Sequence, residues 1–414
     1  MLASEIEYRA HIQARLLELL KKGPLDLRAL VLQADGAYPS IVKKELEELV
    51  SIKQVVWQNL KYSTPNVSLD IPVRHTEYQE NYELLGARNG SYDPHPVDYD
   101  WRFTQNSVED LLSMLMKKGN TQSALALFGT TSLFVPLTKL GLKPELYNKS
   151  NFLIEEIKNN GYDRGLYVHD LFKPIQERNS AFEIVVADPP WYPDYYRAFI
   201  LRSTEVLKID GYLFLCLFPW LTRPEATIER EEINQYALSA GFDIQEVLPS
   251  FLRYATPRFE KMALKTEGID LNHDWRTGDL FILRKVRQPA DGIDILAPRI
   301  ESEWDEFLVF GKRVKLKKRV EPENSAVSFQ HVDESKVLRN VSRRSPLRSR
   351  IDLWTSDNEA YSVTGVRLIN AALTSMQQGF NVEETINSLS GPGLVSQVNL
   401  TKLKELLIDL TSID

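Results

Sequence analysis

From about Thr121 to Val286, short apolar runs alternate with longer amphipathic stretches. Ala124 to Phe128, Phe182 to Ala187 and Tyr212 to Phe218 have almost no polar face, as expected of strands buried on both sides, and Gly165 to Val168 reads as another strand. Pro144 to Tyr147, Phe242 to Val247 and Leu280 to Lys285 complete the strand set. Helical spacing falls between them, over 133–140, 151–160, 195–207 and 228–240. This order predicts an α/β domain with a mostly parallel sheet covered by helices on both faces.

The flanks read differently. Glu5 to Lys22 has apolar residues near helical period and stops at Gly23-Pro24. Asp26 caps a second helix and Ser40 a third, and Val55 to Tyr62 folds as a short ribbon. Three helices and a ribbon predict a winged helix over 1–70. Its third helix holds Glu45, Glu47 and Glu48 against Lys43 and Lys44, too little positive charge for phosphate contacts. A protein partner, a dimer or intramolecular docking therefore suits it better than DNA. Residues 71–106 form a linker or lid. It ends in the aromatic run Tyr99 to Phe103, followed by a helix that Ser107 can cap. Beyond 288, Val314, Leu316 and Val320 alternate with Lys312, Arg313, Lys315, Lys317, Lys318 and Arg319, the pattern of a half-exposed strand. A second basic cluster includes Arg343, Arg344, Arg348 and Arg350. The domain plan is 1–70, 71–106, 107–288 and a basic α+β region over 289–414.

The 414 residues exceed one ordinary core. With 43% hydrophobic and 26% charged residues and a net charge of -7, the chain is an ordinary acidic globular protein, so any nucleic-acid contact must come from a local basic patch. Cys216 is the single cysteine, which excludes intrachain disulfides and Cys-ligated metal; the six scattered histidines show no ligand spacing, so no metal is expected. No secretion signal or membrane-length apolar stretch occurs, which points to the cytoplasm and away from a membrane.

The chemistry concentrates where the fourth strand empties into Asp188-Pro189-Pro190-Trp191. Proline cannot continue a central strand, so the chain stops at Asp188 and forms a stiff lip. Trp191 offers a rigid face for stacking. In an α/β sheet this edge is where ligands sit. The tetrapeptide resembles the Asp/Asn-Pro-Pro-aromatic signature of class I S-adenosylmethionine (SAM)-dependent amino-methyltransferases. That resemblance implies a Rossmann-like methyltransferase domain that methylates an exocyclic amine, N6 of adenine in nucleic acid or a nucleotide being the leading case. Asp188 and the Pro189 carbonyl, with Pro190 shaping the lip, would grip the amine N–H bonds and free its lone pair, while Trp191 stacks on the base. The resemblance places SAM at Phe128-Gly129-Thr130-Thr131, where Gly129 alone supplies the tight turn. It places Asn148 where the family has a ribose-gripping acid, and Asp170 beside the donor's adenine amine, a position that also suits a cap. Tyr192, Tyr195 and Trp220 lie near the lip, as substrate walls or as core. Arg343 and Arg344 would contact phosphates.

The layout also resembles branched-chain polyamine synthases, which use decarboxylated SAM to aminopropylate an amine. That family has an acid-rich first turn and an acid after the two prolines; this chain has Thr130, Thr131 and Trp191 there. A third reading is a degenerate methyltransferase that only binds nucleic acid or a protein.

Overall fold

The structure, a computed structural model, describes residues 3–65, 93–118, 124–175, 178–271, 273–289, 292–293, 303–322, 325–390 and 396–412. They form two compact units that do not follow chain order. The first takes in 3–65, 101–256 and 271–293, and the second 93–100, 257–270 and 303–412. Residues 71–92 of the expected linker, with 66–70 of the segment before it, lie outside the described residues. Among the described residues no helix is long and apolar enough to cross a membrane.

The first unit opens with α1 (Ala3–Leu20), α2 (Leu27–Gln33), α3 (Pro39–Ser51) and a ribbon of β1 (Val56–Gln58) and β2 (Lys61–Ser63). Asp26 caps α2 as expected, accepting the Ala29 N–H at 2.7 Å. Ser40 does not cap α3. The helix starts one residue earlier at Pro39, whose fixed φ suits the first helical position, and Tyr38 precedes it without a side-chain cap. Part of α3's acidic charge turns inward: Glu45 is fully buried and accepts from Arg9 at 2.5 Å and Gln13 at 2.7 Å.

The rest of this unit is β3 (Arg102–Phe103), α4 (Gln105–Lys118), β4 (Leu125–Phe128), α5 (Thr131–Lys139), β5 (Glu145–Asn148), α6 (Asn151–Asn159), β6 (Leu166–Val168), β7 (Phe182–Ala187), α7 (Pro193–Val206), β8 (Leu207–Leu217), α8 (Ala226–Ser239), β9 (Phe242–Ala255) and β10 (Thr277–Lys285). The sheet runs β3-β9-β10-β8-β7-β4-β5-β6. Strands β6, β5, β4, β7 and β8 are parallel, while β10 is antiparallel to both its neighbours. This is the strand order of the Rossmann-like methyltransferase fold. The central strands are buried on both faces, with Phe128, Val185, Ala187 and Leu215 in one cluster with Tyr196 and Ile200 of α7. That two-sided burial is why their sequences carry no alternation. Two elements depart from expectation. The fourth-helix start moves to Gln105, because Thr104 rather than Ser107 meets the first free N–H, accepting from Ser107 at 3.4 Å. Strand β9 runs on past Pro249 to Ala255, because its pairing with β10 is irregular between Leu248 and Leu252 and leaves room for the proline.

The second unit holds α9 (Arg258–Thr266), β11 (Trp304–Val309), β12 (Lys312–Lys317), β13 (Ser328–His331), a 3₁₀ turn over Pro346–Arg350, β14 (Leu353–Thr355), β15 (Ala360–Thr364), α10 (Val366–Gln377), α11 (Val382–Leu389) and α12 (Gln397–Thr411). Its antiparallel sheet, β11-β12-β14-β15-β13, packs Val314, Leu316 and Tyr361 against Ile369, Leu373, Leu403 and Leu407 of the helices. The basic strand β12 is not half-exposed. Lys312, Arg313 and Lys315 are buried, because acids from other segments neutralise them. Arg313 meets Asp98 at 2.6 Å and Glu306 at 2.5 Å; Lys315 also bonds Asp98; Lys312 lies 3.2 Å from Glu359 and 3.4 Å from Asp357.

His95 lies beside this network. Its Nε2–H donates to the Trp354 carbonyl at 2.9 Å and its Nδ1 accepts the Val97 N–H at 3.1 Å, which fixes the neutral tautomer. Burial first, and then the charges of Lys315 and Arg313, hold its pKa well below the ordinary histidine value, although Asp98 opposes them. The unfolded chain then binds a proton that the native state refuses as pH falls through the usual histidine pKa of about 6.5. We expect the second unit to lose stability below that pH by up to about 1.4 kcal/mol per unit, and His95→Leu to remove this slope, as read by urea unfolding at a series of pH values.

Candidate active site

The carboxyl ends of β4, β5, β6, β7 and β8 share one edge of the sheet. Because β10 is reversed, β9 runs parallel to β8 and brings its own carboxyl end to that same edge. Asp188 follows β7 there, half-buried, with its N–H donating to the Phe128 carbonyl at 3.0 Å. Gly129 sits alongside with φ +71°, where a β-carbon would lie 2.9 Å from the Asp188 carbonyl oxygen. Only glycine meets both conditions, so the first turn and the acid are locked together. The Asp188 carboxylate accepts the Tyr254 hydroxyl at Oδ1, 2.8 Å away. Tyr254 is 1% exposed and sits in a nest of rings: Phe103 at 5.1 Å, Trp191 at 5.7 Å and Trp101 at 6.4 Å between centroids. Burial, with the Asp188 charge next, pushes its phenol well above the usual value, so it stays a hydrogen-bond donor.

Pro189 is buried and Pro190 half-buried, and the Pro190 carbonyl accepts the Tyr192 N–H at 2.6 Å. Trp191 is half-buried between Tyr254 and Phe218. The Arg276 guanidinium lies 5.0 Å from its ring centroid, 4.1 Å from Trp101 and 4.7 Å from Trp275. Arg223 lies 4.2 Å over Phe218 and 5.9 Å over Tyr192, and pairs with Glu229 at 2.6 Å.

The expected donor-binding residues gather at this edge in differing roles. Phe128 is fully buried, leaving only its backbone to meet a ligand. Thr130 is buried and donates its hydroxyl to the Val186 carbonyl at 3.3 Å; it precedes α5 without a side-chain cap. Thr131 is buried in the first turn of α5. Asn148 ends β5 half-buried, its Oδ1 accepting the Ser150 N–H at 2.8 Å. Glu145, three residues earlier, accepts from Tyr147 at 2.6 Å and Arg178 at 3.0 Å, so it belongs to the strand's own side-chain network. Asp170 follows β6 and turns the chain by accepting the Phe172 N–H at 3.1 Å.

The substrate-side expectations separate. Tyr192 stays at the lip, half-buried ahead of α7. Tyr195 belongs to the core, 5.2 Å from the Phe172 ring. Trp220 is 47% exposed, with Arg230 stacked 4.0 Å over it. Arg343 and Arg344 belong to the second unit, ahead of its 3₁₀ turn.

The N-terminal helices grip the loop after β8. Tyr8 donates to the Leu221 carbonyl at 2.9 Å, Leu221 donates to the Asp35 carbonyl at 2.8 Å, and a β-carbon on Gly36 would strike Pro219 at 2.8 Å. Tyr38 packs edge-on against Trp275, 5.5 Å between centroids. Sequence reading missed Tyr254, Arg276 and Trp275; for the N-terminal helices it offered intramolecular docking beside a partner or dimer, without the residues that make it. The strand signal breaks at Pro249, and none of these residues sits in a motif.

No family model matches the chain. An uncharacterised protein of Methanocaldococcus jannaschii is 23% identical over 156 residues, 34% of this chain and 37% of that protein, so the match spans little more than a third of the relative's length. Among solved structures, the branched-chain polyamine synthase of Thermus thermophilus, in complex with N4-aminopropylspermidine and 5′-methylthioadenosine, overlays with a TM-score of 0.53 at 14% identity, over 70% of this chain and 91% of that one. A mutein of the same enzyme gives 0.52 at 15% identity, over 72% and 90%. This likeness is one of fold.

Cys216 lies beneath the site, fully buried on β8. Burial foremost, then the Asp188 charge, raises its thiol well above the usual value, although a bond with Tyr254 opposes them. We expect no reaction with an aromatic disulfide reagent at pH 8 in the native protein and one equivalent after unfolding. Fast native labelling would mean that the floor of the site is open.

Proposed function

We propose that the first unit is a SAM-dependent alkyltransferase that methylates the exocyclic amine of a planar base, with N6 of adenine in nucleic acid or a nucleotide as the leading acceptor. The observation that carries this reading is the Asp188 carboxylate: half-buried at the carboxyl edge, fixed by Tyr254, joined to the Gly129 turn and followed by the ring of Trp191.

The residues present fit the donor. The Gly129 turn lets backbone come close, and the stretch from Phe128 to Lys139 contains no acid to repel a carboxylate. The N–H groups opening α5 suit that carboxylate as well. Asn148 supplies a neutral ribose contact in place of an acid. Bound there, the donor supplies an activated alkyl carbon: the amine lone pair takes it, the sulfur leaves with the C–S electron pair, and the surplus proton goes to water. Asp188 and the Pro189 carbonyl accept the amine's N–H bonds, drawing the nitrogen towards tetrahedral geometry and stabilising the positive charge that develops on it. Trp191 holds the base flat, and most of the acceleration comes from positioning.

Aminopropyl transfer is the second reading, favoured by the extent of the Thermus overlay. Weighing against it are the acid-free first turn and the tryptophan after the prolines, since a polycationic acceptor calls for carboxylates.

Calorimetry with SAM and decarboxylated SAM tests both. Tighter binding of SAM is expected, together with transfer of labelled methyl to an adenine-containing oligonucleotide or to adenosine monophosphate. Preference for the decarboxylated donor with transfer to spermidine overturns methylation, and binding of neither overturns the enzyme. Asp188→Ala should cut turnover by about 100-fold or more while donor affinity holds. Equal loss of both would mean that Asp188 serves the donor.

A further inference from the structure

We propose that Tyr254 is a positioning residue for the transfer reaction and that Gly278 is the opening it needs: the tyrosine ring crosses the reversed strand where no side chain stands and fixes the Asp188 carboxylate from the far side of the sheet. This rests on the alkyl-transfer reading of Asp188.

Tyr254 lies near the end of β9, with β10 and β8 between it and the strand that leads to Asp188. To meet Asp188 the ring must travel sideways over β10. It does so at Gly278, where a β-carbon would lie 3.0 Å from Tyr254 Cε2, 3.3 Å from its hydroxyl oxygen and 3.5 Å from the Leu217 carbonyl. Any other residue at 278 therefore presses on both the ring and the hydroxyl. The backbone is held as well, since the Tyr254 N–H donates to the Arg276 carbonyl at 3.0 Å. With Phe103, Trp101 and Trp191 packed around it, the ring has nowhere else to go.

The same ring does two separable things. Its hydroxyl bonds Asp188 Oδ1, which restrains carboxylate rotation. Its edge packs on Trp191, the stacking residue of the lip. Tyr254→Phe removes the first and keeps the second, whereas Gly278→Ala displaces the ring and disturbs both.

The test measures transfer from SAM and from decarboxylated SAM to an adenine-containing oligonucleotide, adenosine monophosphate and spermidine, with donor affinity by calorimetry and thermal melts for every variant. Tyr254→Phe should lower kcat by about 10- to 100-fold, the worth of one hydrogen bond to a charged group, with donor affinity and acceptor KM unchanged. Gly278→Ala should lower kcat and also raise acceptor KM. In the Asp188→Ala protein, Tyr254→Phe should cost less than about twofold more, because its effect passes through the acid. Wild-type kcat in Tyr254→Phe overturns the proposal, as does a full independent loss in the double variant. Should Tyr254→Phe melt early, Gly278→Ala decides: unchanged kcat and KM overturn it. Wild-type rates in Asp188→Ala, or no transfer to any of these acceptors by the parent protein, overturn the alkyl-transfer reading itself.

Discussion

The candidate site depends on one reversed strand. Because β10 runs against both β8 and β9, a strand far from the motif ends at the motif's own edge. In a wholly parallel sheet β10 would start at the opposite edge, and the residues leading into it could not reach the site. Here β9 contributes Tyr254, and the loop into β10 contributes Trp275 and Arg276. The acid after β7 is thus supported from two sides: the Gly129 turn through its backbone, and Tyr254 through its carboxylate.

The N-terminal helices take part in this support. They hold Leu221 by two hydrogen bonds and press on Pro219 and Trp275. In the chain those contacts come just ahead of Arg223 and Arg276, whose guanidinium groups cover Tyr192 and Trp191. The inward-turned Glu45 also fits a scaffolding role, since it ties α3 to α1 through Arg9 and Gln13.

Much of the central sheet was legible in the sequence, because strands buried on both faces leave apolar runs bounded by turns. The Asp188 motif stood out for the same reason: two prolines after such a run can only end it. The remainder of the site was hidden by distance along the chain. Tyr254 follows a proline that hides the rest of β9, and Gly278 matters only because of a ring that lies 24 positions earlier. On β12 the alternation of apolar and basic residues was plain, but its meaning was not. Asp98 and Glu359, which neutralise its cations, lie in remote segments, and no local pattern marks a lysine as buried.

The interleaving of the two units bears on how the molecule is made. The second unit needs 93–100 and 257–270 as well as the residues beyond 302, while the first needs 271–293. During synthesis, Asp98 leaves the ribosome long before Arg313 and Lys315, and must wait unpaired for them. Such distant contacts carry a large loop-closure entropy and favour slow, late assembly. Neither unit corresponds to a continuous stretch of chain, so no single cut separates them. The architecture would have to be inherited, and to fold, as a whole.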